Sequence, residues 1–215
     1  TINGEHRTSW IVDPADGRIP YNEAGRARKA ALREKNSSFD GPETRPLAER
    51  CISTGLRTGP PMINGLYNNN YEFVQTEDYI VLRTEMISHA RIIPIDSEHK
   101  MAALAPMFGE SVAHWDGDTL VINTQNYYYP NGWRNTSKAM KVEERFTWID
   151  ENTLDYDFTV EDPNTWDESW SARLPMRRIE DPIYEYACHE GNHGLAGILA
   201  GWRRYESMGM NGDGT

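Results

Sequence analysis

The chain has 215 residues, with 33 acidic against 22 basic side chains and a formal net charge of −11. That balance makes nucleic acid and anionic membrane surfaces poor partners, because both are held by a positive face. No apolar run approaches the roughly 18 residues of a membrane span, and the length fits one sizeable domain with its own core.

Residues 1–66 read as an irregular arm wrapped on the body. "DPADGRIPY" is turn-rich, "NEAGRARKAALREKN" (22–36) predicts a short charged helix, and "FDGPETRPLAERC" and "RTGPPMING" are Pro/Gly loops. The arm has too few large apolar residues for a core of its own. The chain opens at Thr1 in place of a methionine, as it would once a leader had been removed.

From Asn70 the pattern becomes β. "NYEFVQT", "YIVLRTEMI", "ARIIPID", "SVAHWD", "DTLVINTQ", "AMKVEERFTWID", "NTLDYDFTVED", "ESWSARLPMRRI" and "IYEYACH" predict about nine strands. Asp116-Gly117 and Asp150-Glu151-Asn152 are hairpin signals between successive strands. The expectation is a mainly β fold: an antiparallel up-and-down barrel of lipocalin or calycin type over residues 67–207. "HGLAGILAGWRRYES" (193–207) predicts a C-terminal helix packed on that barrel, and 208–215 a disordered tail.

Several side chains stand out from this pattern. Over 79–91 one parity carries Glu85, His89 and Arg91 and the other Ile80 and Leu82, so the polar set is expected to aim away from the apolar one. In 140–148 the stripe of Met140, Val142, Phe146 and Trp148 contains Glu144. A carboxylate in an apolar stripe needs a partner, usually a guanidinium, which makes Glu144 either half of a structural ion pair or a catalytic group. His114, beside Trp115 before a hairpin, and His189, at the end of the expected last strand, titrate near neutrality and suit general acid–base work. A lone histidine is more often structural.

"LYNNNYEF" places Asn68, Asn69 and Asn70 between Tyr67 and Tyr71. Their amides and phenols offer donors and acceptors to a sugar or an oxyanion, or they close a turn. "NYYYPNGWRN" sets Tyr128 and Trp133 in a loop, either as a stacking wall for a ring-shaped ligand or as a plug on the barrel end.

"CHEGNHG" (188–194) spells H-E-x-x-H, the helix-borne zinc motif. Two histidines four apart share a metal only if all five residues are helical. Gly191 and Asn192 favour a turn, and the positions of a metzincin's later glycine and histidine hold Ala196 and Leu199. The stretch therefore reads as a strand end, a turn and a helix start. Cys51 and Cys188 are two buried thiols in a reducing compartment and one disulfide in an oxidising one.

Four segments together, "GPPMINGLYNNNYEFVQTEDYIVLRTEMISHARIIPID", "HWDGDTLVINT", "ERFTWIDENTLDYDFTVEDPNTW" and "PIYEYACHEGN", resemble a family of exported proteins of proteobacteria and acidobacteria over about residues 40–200. The resemblance implies a secreted or periplasmic protein, and hence a Cys51–Cys188 disulfide. It brings no activity with it. The family pattern often has an aromatic after E-G-N, where this chain has His193, and the "YYYPNGW" loop also departs from it.

Three functions compete. The first is a secreted lyase or isomerase acting without a cofactor on a small carbohydrate-like or aromatic substrate in the barrel mouth. His89 or His114 would be its base, Tyr71 or a second histidine its acid, and Arg91 with an asparagine amide its oxyanion support; Glu85 and Glu144 complete the set. Tyr67, Asn68–Asn70, Trp115, Tyr128, Trp133 and His189 would bind the substrate. The second is a metalloenzyme liganded by some of His89, His114, His189, His193 and Glu85. The third is a calycin-like small-molecule binding protein. No Gly-rich phosphate loop or G-x-S-x-G elbow is present.

Overall fold

A computed structural model describes residues 6–55, 57–100, 102–128, 133 and 135–209. Among the described residues nine strands and two α-helices follow in chain order: β1 (Ile11–Asp13), α1 (Glu23–Ser37), β2 (Tyr71–Gln75), β3 (Tyr79–Thr84), β4 (Ala90–Pro94), β5 (Glu110–Asp116), β6 (Thr119–Gln125), β7 (Lys141–Asp150), β8 (Thr153–Glu161), β9 (Trp170–Arg177) and α2 (His193–Ser207). Antiparallel pairing builds a six-stranded sheet, β1-β9-β8-β7-β6-β5, and a three-stranded sheet, β2-β3-β4.

Alternation drives the strands as expected. On β7, Val142, Glu144 and Phe146 are buried while Lys141 and Glu143 are exposed; on β9, Trp170, Ala172 and Leu174 point inward. Gly117 takes φ 60° in the two-residue turn between β5 and β6, a backbone region glycine enters without steric cost. Ile80, Leu82 and Ile93 of the small sheet share one core with Leu120, Ile122 and Phe146 of the large one, and Phe73 meets Phe146 edge-on at 5.2 Å.

The expected closed barrel is not formed by these ladders. Among the described residues the backbones of the two sheets are bridged once, in parallel, at Ile95 and Ala113, where Asp96 N donates to Ala113 O at 2.8 Å. Among the described residues β2 and β1 are the free ends of the two ladders. The fold is a two-sheet antiparallel meander, open on the side of β2.

Two further expectations are corrected. "IYEYACH" is not a strand, and the edge of β9 that it would extend is taken by β1 of the arm, with Ile11 opposite Ala172. The single parity carried across 79–91 does not hold either. Thr84 ends β3, a short 3-10 turn spans Met86–Ser88, and Ile87 and Ser88 take φ 64° and 50°. The chain doubles back, so Leu82 pairs with Arg91 and both face inward.

The arm is built into the body. Met62 joins the core and its N–H donates to the Tyr156 hydroxyl at 2.9 Å. Cys51 and Cys188 form a disulfide across 137 residues. Helix α2 rests on the arm rather than on the sheets: Trp202 stacks on Phe39 at 4.8 Å, and its N-cap Asn192 donates to Glu49 O at 2.8 Å. The expected tail lies largely outside the described residues, which stop at 209.

Candidate functional site

Two polar features lie between the sheets. The first is a buried ion pair. Arg91 donates to both Glu144 oxygens, at 3.2 and 2.5 Å, and also to Ser111 Oγ at 3.1 Å. Tyr156 donates to Glu144 Oε1 at 2.8 Å. Glu144 is 0% exposed and Arg91 6%. Burial works against the guanidinium charge, but the Glu144 carboxylate outweighs it and raises the Arg91 pKa. Burial, first, and the nearby carboxylate hold the Tyr156 phenol protonated. A carboxylate this buried is closed to a ligand, and the pair lines none of the open cleft.

The second feature is that cleft, about 620 Å³, between β2 and one end of the large sheet. Its floor is apolar: Phe73, Ile80, Leu120, Phe146, Leu154 and Met176. Trp115 and Trp148 flank it and remain 44% and 53% exposed. Tyr71 also lines it, with a buried hydroxyl that has no hydrogen-bond partner among the described residues. Burial raises the Tyr71 pKa, against the lowering effect of Arg57 and with a further rise from Glu144. The phenol therefore stays protonated and acts as a donor. Arg177, Arg178, Asn64, Gln75 and Asp118 supply polar groups around the apolar floor.

No family model, curated protein or solved structure matches the chain.

The residues singled out in the sequence do not gather at one point. Tyr71, Asn69, Asn70 and Trp115 line the cleft. His114, the next residue on β5, is exposed and projects to the opposite face. Glu85 pairs with Asn70 rather than with Arg91, accepting from Asn70 Nδ2 at 2.9 Å. Asn69 brackets Gly65, accepting its N–H at 2.7 Å and donating to its carbonyl at 3.0 Å, and Asn68 adopts φ 53°. The asparagine run is thus a turn closed by side chains, as such residues favour. Exposed Tyr67 lies under the Arg57 guanidinium, 4.9 Å from the ring.

His89 is half-buried against Phe108, with ring centroids 4.0 Å apart, and its Nε2 is buried with no hydrogen-bond partner among the described residues. Burial and, second, the Arg91 charge bring its pKa down to about 4, so near neutral pH the ring is uncharged. Trp133, expected to stack on a ligand, is 3% exposed and packed against Trp170 at 5.9 Å, with its Nε1–H on Pro61 O. It is core. Tyr128 is half-exposed; residues 129–132 of the same loop lie outside the described residues.

His193 is the first residue of α2, Asn192 is its N-cap, and His189 sits in the preceding turn. The two histidines are exposed and do not share a helix, so the H-E-x-x-H spacing does not aim them at one metal. Among the described residues no group of three His, Cys, Asp or Glu side chains is gathered as a metal site.

Sequence reasoning missed Trp148, Arg177 and Arg178 as cleft residues. Trp148 shares the parity of Phe146 and belongs to the apolar stripe by sequence; only the end of β7 running past the core exposes it.

Proposed function

We propose that this protein binds a small ring-bearing molecule in the cleft between β2 and the large sheet, as an opened, calycin-like binding module of an exported protein. One observation carries the reading: two indoles, Trp115 and Trp148, stand half in solvent beside an apolar cleft of ligand size. Apolar clefts of 300–1,000 Å³ with a few convergent polar groups are the common form of small-molecule sites, and contiguous exposed apolar surface of this kind marks a contact site. The Cys51–Cys188 bond fits an oxidising compartment.

The acid–base reading has less support. Its arginine is locked to Glu144, its histidine lies against Phe108, and neither lines the cleft. Tyr71 does line it, but a phenol held this firmly protonated orients a ligand oxygen and exchanges no proton near neutrality.

Titration with a neutral aromatic alcohol, 2-naphthylmethanol, tests the proposal. Saturable one-to-one binding is expected, weakened about two- to tenfold by Trp148→Ala, the range for one aromatic pair. Binding that does not saturate, or that Trp148→Ala leaves unchanged, contradicts it.

A further inference from the structure

Resting on this cleft reading, we infer that the preferred ligand is an aromatic carboxylate, its ring between the indoles and its anion on Arg177 and Arg178. The large and small sheets carry other arginines on their strands, and each has a carboxylate. Arg83 meets Glu72 at 2.7 Å, Arg91 meets Glu144, Arg145 meets Asp116 at 2.6 Å, and Arg173 meets Asp155. At the end of β9 the pattern stops. Among the described residues neither Arg177 nor Arg178 has an ion-pair partner.

The chain carries 33 acidic residues against 22 basic ones, and on the sheets this adjacent pair stands apart from the paired strand arginines. Both line the same cleft. The Arg178 guanidinium lies over the Trp148 ring, 5.3 Å from its centroid, which holds a cation beside an aromatic wall. Its backbone is fixed as well, Arg178 N donating to Asn152 O at 2.9 Å. Two carboxylates share the neighbourhood. Asp118 lines the cleft, and Asp150 lies close enough to Arg177 to feel its charge, though a backbone hydrogen bond from Asn152 does most to lower its pKa.

Guanidinium is suited to this task because it stays charged, presents a planar fork to a carboxylate and stacks on aromatic rings. A planar acid would fill the site with one ring and one anion. The unpartnered Tyr71 hydroxyl in the same cleft offers a donor to an oxygen elsewhere on the ring. A sugar would use the hydroxyl donors and leave the arginine pair unanswered.

The experiment compares naphthalene-2-carboxylate with 2-naphthylmethanol, nearly the same shape without the charge, by calorimetric titration at pH 7.5 and low salt. The acid is expected to bind about tenfold more tightly, a modest effect because both arginines are exposed. Added salt should weaken the acid alone. In the Arg177→Gln/Arg178→Gln variant, the preference for the acid over the alcohol should disappear. Equal binding of the two by the native protein overturns the inference and leaves the cleft reading standing. So does a preference for the acid that survives the double substitution. If neither compound binds, the cleft reading itself fails and the inference with it.

Discussion

Arg91 on β4 and Glu144 on β7 bind each other through both terminal guanidinium nitrogens and both carboxylate oxygens, 53 residues apart and buried. Together with the Arg91–Ser111 hydrogen bond, the pair ties the small sheet to the large one. Removing one member leaves a buried charge without its counterpart, which costs about 3–5 kcal/mol. Glu144→Gln is therefore expected to destabilise by that order. Arg91→Met combined with Glu144→Gln should cost less than the sum of the singles, because no lone charge remains. Urea unfolding of the four proteins measures the coupling; strict additivity would show that the pair holds nothing.

His89 gives the fold an acid-sensitive point. The folded chain holds its imidazole neutral, with a pKa of about 4 against 6.5 in the unfolded chain. The sign follows: the contribution is whole above about pH 6.5 and is lost as pH falls through about 4, since protons then favour the unfolded state. The shift corresponds to about 3 kcal/mol at most. His89→Gln, neutral throughout, should lose less stability than the native protein between pH 7 and pH 4. Parallel pH profiles of the two melting temperatures would contradict this.

The disulfide ties the irregular stretch before α2 to the arm. Closing a loop of 137 residues contributes about 5 kcal/mol by chain entropy, before any strain. Cys51→Ser/Cys188→Ser is expected to melt well below the native protein. Alkylation of unfolded, unreduced protein should add no mass; two alkylated thiols would refute the bond.

Much of this fold was legible in the sequence, because alternation is a local signal. Glu144 within the stripe of β7 announces its need for a cation and is buried with that stripe, and Arg91 is among the residues set apart, although on the wrong face. That error has a local cause: parity across 79–91 fails at Ile87 and Ser88, whose left-handed backbone no composition rule flags. "IYEYACH" carries strand-like residues, yet the edge of β9 that it would extend is met by β1 from the other end of the chain. Trp133 and Trp148 look alike in sequence, each an aromatic near other aromatics. Only the packing distinguishes the one buried against Trp170 from the one left at the cleft. Individual strands were readable, whereas the site depends on how far each strand outruns the core.

The central claim, that the cleft is a ligand site, is tested most directly by the indole N–H signals of the seven tryptophans in ¹⁵N-labelled protein. On titration with naphthalene-2-carboxylate, the signals of Trp115 and Trp148, assigned by single substitution to phenylalanine, should move together and saturate. Those of the buried Trp133, Trp166 and Trp170 should stay in place. Shifts confined to other tryptophans, or none at Trp115 and Trp148 at saturating ligand, would contradict the account.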